Sequence, residues 1–551
     1  MRLSFPNTKR TTSQMPEQVP RKARVSIAEH IPPTVLCALT LALSAVPIYT
    51  LFHAFIAYPG AIHDELLRPG RPMLLLRSLL IALLIASLAS LIALPIARVL
   101  IARSTRARTM LSGLLLCPIW LPPFMIYAAG NLLRAPDTLL GRALIDYATS
   151  DPDHRWVTIW AGYAIAVLGL ALWAAPVAGV LIAAGLGSRS NLYDEMLALE
   201  PIGRLKRIIF QLRLQRGVII RAIALITVLM LGSAVPLHLA QLDTWSIVTW
   251  RQLTETPPAD WGRIWVSALP MLIAAAIGAR LIARMLSDTN AQHDPGSRKP
   301  EASKAAMLIA VLIFIGAVLI PLVSMFFSLD DPRSITQFWR VNAGAVRDTG
   351  GTSLCVGLTV TLIALLSANA FVSPIRAHRR VAHVSLMTLC IIGLTPGVLL
   401  GAAIARHGVL GLDLPLIAPY WASLTRFAFV GCIIGAIGAA SETPDRRSAR
   451  VQIAGPSLRA WCITVLPTLA RPLLATLAIA TLLALFEIEA AVMVTPPGIE
   501  NLPQQILSDL HYARLEQLSA AGVNLMSMGA IVAIIASIFM TRGFQSSRSG
   551  N

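Results

Sequence analysis

No lysine in this chain follows a glycine: the five lysines come after Thr8, Arg21, Leu205, Arg298 and Ser303. A phosphate-cradling loop of the form GxxxxGK[ST] is therefore missing, and the chain is not its own P-loop ATPase. Cysteine is sparse. Cys37, Cys117, Cys355, Cys390 and Cys432 lie in apolar stretches, Cys462 lies in a polar one, and no two show paired spacing. Neither disulfides nor a metal cluster is expected. The ten histidines are scattered, without an HxxxH or HExxH arrangement. The clustered His, Asp or Ser at membrane depth that a membrane-embedded enzyme needs are not found. Charge is scarce too, at 13% of residues, against about a quarter in soluble globular chains.

What is abundant is apolar sequence, 56% of 551 residues. Apolar runs of about 20 residues recur, which is the length that crosses a bilayer as a helix. The expected spans are 33–57, 73–102, 110–133, 156–186, 218–242 and 263–285, then 305–328, 353–374, 384–405, 414–440, 472–494 and 520–540. The stretch SDTNAQHDPGSRKPEASK, 287–304, separates them and has linker composition. The expectation is an all-α polytopic membrane protein with about 12 transmembrane helices in two six-helix halves. The boundaries are a tail at 1–31, a first half at 32–286, the linker, a second half at 305–541 and a tail at 542–551. The first tail is too long and too charged for a signal-peptide n-region, so the first helix reads as uncleaved.

The net charge of +18 would suggest nucleic acid in a soluble chain. Here it has another source. Arg98, Arg103, Arg106 and Arg108, then Arg204, Lys206, Arg207, Arg213 and Arg216, then Arg376, Arg379 and Arg380 fall on the side of the tails. The loops between them hold Asp137, Asp146, Asp151, Asp153, Asp330 and Asp331. That is the positive-inside pattern, with both termini cytoplasmic, membrane lipid around the chain and no nucleic-acid partner.

The halves repeat. Ser78-Leu79 parallels Ser353-Leu354, Pro122-Pro123 parallels Pro396-Gly397, and the loop at Gly203 parallels the loop at Gly455. An even number of spans per half makes the repeat parallel. The prolines of the third and ninth spans either free carbonyls to line a cavity or kink helices to fit neighbours. Three charges sit inside spans, Arg426, Glu487 and Glu489, where burial is costly unless they face protein or water. Residues two apart point to different helix faces. Arg426 is accordingly expected to pair with Glu487 alone, bordering a translocation path. The other reading leaves Arg426 alone in a water-filled cavity.

The stretch 442–471 is polar and arginine-rich, broken at Ala454-Gly455-Pro456. Glycine ends helices and proline opens them, so two short helices joined by a sharp turn are expected. Val451, Ala454, Leu458 and Trp461 give the pair an apolar face. Such a pair outside the bilayer calls for a partner groove. The alternative is a basic helix lying on the lipid surface.

Ala454 to Pro467, with Leu458-Arg459-Ala460 and Thr464-Val465-Leu466-Pro467, resembles the cytoplasmic coupling loop of type I ABC importer permeases. Against the Glu-Ala-Ala-x3-Gly-x9-Ile-x-Leu-Pro pattern, the Glu position is Ser448, the Ala positions are Ala449 and Arg450, and the Gly position is Ala454, with Gly455 displaced by one. The first copy, at 197–203, keeps Ala198 and Gly203. Phe486-Glu487-Ile488-Glu489-Ala490-Ala491 and Thr495-Pro496-Pro497-Gly498 to Pro503 resemble the ferric-iron importer permeases. The resemblance implies a type I ABC importer fold with cores at about 73–286 and 349–541, in a bacterial inner membrane. It implies coupling roles for Ala198, Gly203, Ala449, Arg450, Ala454, Gly455, Leu458 and Pro467. Arg426, Glu487, Glu489, Pro122 and Pro396 are expected along the path. The implied partners are two copies of an ATPase subunit, which uses the ATP, and an extracytoplasmic binding protein that delivers substrate. No cofactor is expected on this chain. Ferric iron is the expected substrate; thiamine, sulfate and polyamines are the alternatives. An ion-coupled secondary transporter is a further class, which would favour acids in the spans of both halves.

Overall fold

The computed structural model describes residues 29–102, 106–136, 138–186, 203–233, 235–290, 304–440, 442, 444–454, 457–499, 501–512 and 514–546. Most of the expected tail and linker, the first loop copy with Ala198, and Gly455 lie outside the described residues.

The regular structure of the described residues is helical, apart from one isolated bridge between Val409 and Leu412. Among them nine helices are long and apolar enough to cross a membrane, or eleven if each of two sharply bent helix pairs counts as one span. The helix Leu515–Ser546 covers the last of the expected spans. The chain is a polytopic helical membrane protein.

The helix Arg71–Ile101 shows how the sequence sets the packing. Ala82, Ala86, Ala89, Ala93 and Ala97 recur at helical spacing and are buried. Leu76, Leu79, Leu80, Leu83, Leu84 and Leu91 face outward. Lipid is as apolar as leucine, so large side chains gain little by turning inward, whereas small ones let backbones approach. The alanine stripe meets the helix Trp156–Leu186, where Gly179 lies against Ile96. The second half repeats the device. Gly431 and Gly435 of the helix Ala418–Ala440 lie against Val360, Ala364 and Ser367 of the helix Ala343–Val372.

The halves exchange their first helices. Ile31–Ala57 packs on Arg376–Gly393 and Ala343–Val372 of the second half. The Thr40 and Ser385 hydroxyls there are hydrogen-bonded at 2.8 Å. Lys304–Phe314 in turn packs on Arg71–Ile101 and Arg106–Leu116 of the first half. The Ser324 hydroxyl, a little further along, lies 3.4 Å from the Ala129 carbonyl.

The repeat read from the sequence is right in one place and displaced in another. Pro122 and Pro396 both cap the second limb of a broken helix, with φ, ψ of −56°, 133° and −51°, 131°. The limbs meet at 93° and 97°, far sharper than a kink. The partner of Ser78, however, is Thr349 and not Ser353. The Ser78 hydroxyl accepts the Trp245 amide at 2.8 Å, and the Thr349 hydroxyl accepts the Leu502 amide at 3.0 Å. Each opens the helix that follows, Trp245–Glu255 and Leu502–His511. The Ser-Leu dipeptide had matched one helical turn too late.

Two expected spans also end early. The helix Arg204–Leu231 stops before 242, and Leu466–Leu485 stops before 494; each is followed by a short helix, Val235–Leu239 and Ala491–Val494. After Phe486 the Glu487 carboxylate accepts the Ala490 amide at 2.7 Å, in place of a helical carbonyl.

Candidate functional site

Three segments of the second half converge at membrane depth. Arg426 comes from Ala418–Ala440, Glu487 and Glu489 from the break after Leu485, and Gly397 from the second limb of the bent helix. Arg426 Nη1 donates to Glu487 Oε1 at 2.7 Å, and Nη2 lies 2.9 Å from Glu489 Oε2. All three side chains are largely buried, Glu487 the most deeply at 5% exposed.

The expectation of a single partner is therefore corrected. Residues two apart diverge on a helix, but 486–490 is not helical. Off the helix there, the chain brings both carboxylates to one planar guanidinium, whose fork of donors suits two acceptors. The reading of Arg426 alone in a cavity is set aside by the same geometry.

Glycine at 397 is what admits the cluster. A Cβ there would overlap Arg426 Nη1 and lie 3.0 Å from Glu487 Oε1. Pro396 and Pro122 are both buried at the bends. Their neighbours are packed side chains, Val398, Leu399 and Leu400 in one half and Phe124, Met125 and Ile126 in the other. Trp173 Nε1 donates to the Leu121 carbonyl at 2.9 Å, so that freed acceptor is satisfied by protein.

The polar stretch after Ala440 folds as expected into two helices, Pro444–Ala454 and Leu458–Thr464. Ser457 caps the second, accepting the Ala460 amide. The predicted apolar face is only partly right. Trp461 is buried with Val465 and Leu469 against Ala368, Val372 and Ala439, and Leu458 packs beside them. Ala454 is exposed. The apolar side chains turned outward are Ile453, 87% exposed, and Ile463, 65% exposed. Neither belongs to the apolar face expected from the sequence, although Ile453 adjoins Ala454 and Ile463 is two residues from Trp461.

Arg450 makes its polar contacts within the chain. It turns inward and grips Glu442 through Nε at 2.8 Å and Nη2 at 3.2 Å. Arg447 lies 3.8 Å from the same carboxylate. Burial pulls the Arg447 guanidinium below its usual pKa, and Glu442 opposes that fall. Ala449 lies in the first short helix, and Pro467 in the first turn of Leu466–Leu485. Gly203 opens Arg204–Leu231 with no atom within 4 Å of its would-be Cβ.

A second charged network, where Arg71–Ile101 begins, was not singled out from the sequence. Arg71 meets Glu65 at 3.2 Å, Gln252 donates to Glu65 at 3.2 Å, and Arg263 meets Asp64 at 2.6 Å. The Arg71 guanidinium lies over the Trp245 ring. Nothing in the spacing of these residues marks them in the sequence. Among the described residues no three metal-ligating side chains gather.

Comparison with protein-family models, curated proteins and solved structures finds no match for this chain.

Proposed function

We propose that this chain is the membrane-embedded permease of an ATP-driven importer of the type I ABC class, with twelve spans in two parallel halves of six. The single observation that carries the reading is the helix pair 444–464. It is anchored from within by Trp461 and by the Arg450–Glu442 pair, while Ile453 and Ile463 stand outward. An apolar pair on an otherwise basic surface suits a groove on another protein better than water. Two copies of an ATPase subunit supply hydrolysis, one at this pair and one at the loop near Gly203. An extracytoplasmic binding protein supplies substrate, and both termini are cytoplasmic. The exchanged first helices and the paired bends support two halves that work about one pseudo-twofold axis.

The substrate in this reading is ferric iron, on the resemblance of 486–503. Deleting the gene should cripple growth on chelated ferric iron and abolish uptake of the radioactive ion. Normal growth there, with a requirement for thiamine or sulfate instead, would move the assignment to those substrates. Uptake that survives ATP depletion but collapses with the membrane potential would replace the importer class with a secondary transporter.

A further inference from the structure

We propose that Arg426 locks the two helix breaks of the second half into one block, so that they move together and not separately. The first break, 394–396, joins Arg376–Gly393 to Gly397–His407. The second, 486–490, follows Leu466–Leu485. They are distant in sequence and touch at two places. At the first, Arg426 bridges from a third helix: its fork holds Glu487 and Glu489 on one break, and its Nη1 fills the space left by the missing side chain of Gly397 on the other. At the second, one turn further along, Gly401 lies under the second break. A Cβ at 401 would overlap the Ala490 carbonyl and stand 2.9 Å from Met493 Cβ. Glu487 Oε1 also accepts the Ala490 amide, so the carboxylate that holds Arg426 fixes its own backbone as well.

Among the described residues, the first half has the corresponding bends without a charged lock. Gly179 and Gly435 meet equivalent points of their partner helices; counted back equally from each, Arg426 corresponds to Leu170, which is buried and apolar. Counted from Pro122 and Pro396, Gly397 corresponds to Pro123 and Gly401 to Tyr127. The Tyr127 hydroxyl donates to the Leu239 carbonyl at 3.2 Å. That neutral hydrogen bond stands at the place of the Gly401 contact, while the place of the charged fork is taken by Leu170 and Pro123; charge-assisted bonds are about twice as strong as neutral ones. The first half can release its break alone; the second half releases both or neither. The lock is independent of what the chain carries.

The test uses full-length protein in native membrane vesicles, with N-ethylmaleimide as probe and site occupancy read by mass spectrometry. Val398→Cys reports on the first break, Ile488→Cys on the second, and Ala171→Cys is a buried reference in the other half. Two lock variants are compared, Arg426→Lys and Gly397→Ala. Lysine keeps the charge but lacks the fork; alanine keeps the charges and displaces the guanidinium. In each, labelling should rise together at 398 and 488, roughly tenfold or more, the scale set by a lost charge-assisted hydrogen bond, while 171 stays constant. A rise at one break only, no rise at either, or an equal rise at 171 overturns the proposal.

Discussion

Removing the guanidinium should cost more than removing either carboxylate. Arg426→Met leaves Glu487 and Glu489 facing each other without a counter-charge in a site where both are nearly enclosed. An orphaned buried charge costs about 3–5 kcal/mol. Glu487→Gln is milder, because Arg426 keeps Glu489 and the amide oxygen can still accept from Ala490; a lost charged hydrogen bond is worth about 1.5–3 kcal/mol. Glu489→Gln should likewise be milder than Arg426→Met, because Arg426 keeps Glu487. The triple change Arg426→Met, Glu487→Gln, Glu489→Gln removes every charge at once. It should recover most of the loss, because replacing a complete buried ion pair by neutral groups is often close to neutral. The assay is the fraction of monodisperse protein left after stepwise heating in detergent, with the membrane level measured in parallel. If Arg426→Met is no worse than Glu489→Gln, or the triple variant is no better than Arg426→Met, the charges are not balanced within this cluster.

Gly435→Ala should separate Ala418–Ala440 from Ala343–Val372, because its Cβ would come within 2.7 Å of Ser367 Cβ and 2.6 Å of the Ala364 carbonyl; overpacking of this kind costs about 1–3 kcal/mol, whereas Gly316→Ala, with open space around it, should melt like the parent. Trp461→Ala should loosen the 444–464 pair by about 3–5 kcal/mol, seen as faster tryptic cleavage after Arg459 with no change in membrane insertion. Gly455→Asp should insert normally yet lose binding-protein-stimulated ATP hydrolysis in proteoliposomes, since a carboxylate would have to enter an apolar groove; wild-type hydrolysis would remove the coupling role of this loop. Alkaline phosphatase fused after Asp151 should be active and after Ser457 inactive, and the reverse result would invert the topology.

The sequence shows the spans clearly, because hydrocarbon demands about twenty apolar residues and tolerates few substitutes. It shows the bends at Pro122 and Pro396 too, since proline acts on its own backbone. What it hides is whatever depends on where a helix stops. The 486–490 break carries no proline or glycine, so Glu487 and Glu489 looked like opposite faces of one helix. Likewise Ser78 pairs with Thr349 through hydrogen bonds to helices far along the chain, and a Ser-Leu dipeptide is too common to fix register to within one turn. Arg450 matched an alanine position of a motif, but its side chain is spent on Glu442. The outward Ile453 and Ile463 became visible only once the inward side was known.

The exchange of first helices sets an order of assembly during synthesis. Lys304–Phe314 emerges after its seat on Arg71–Ile101 is already in the membrane. Ile31–Ala57 emerges long before its own seat, Arg376–Gly393, exists. At about 5–20 residues per second, the ribosome needs roughly 15–65 s to cover that interval. For that time the first helix has lipid where its protein partner will be. Its composition suits the wait: no charged side chain occurs between Ile31 and Ala57, and its buried contacts with the second half are made by Leu36, Leu43 and Thr40, of which the Thr40 hydroxyl can bond to its own helix meanwhile, at the Leu36 carbonyl. A charge placed at Leu43 should therefore harm insertion early, before any clash with the finished bundle arises.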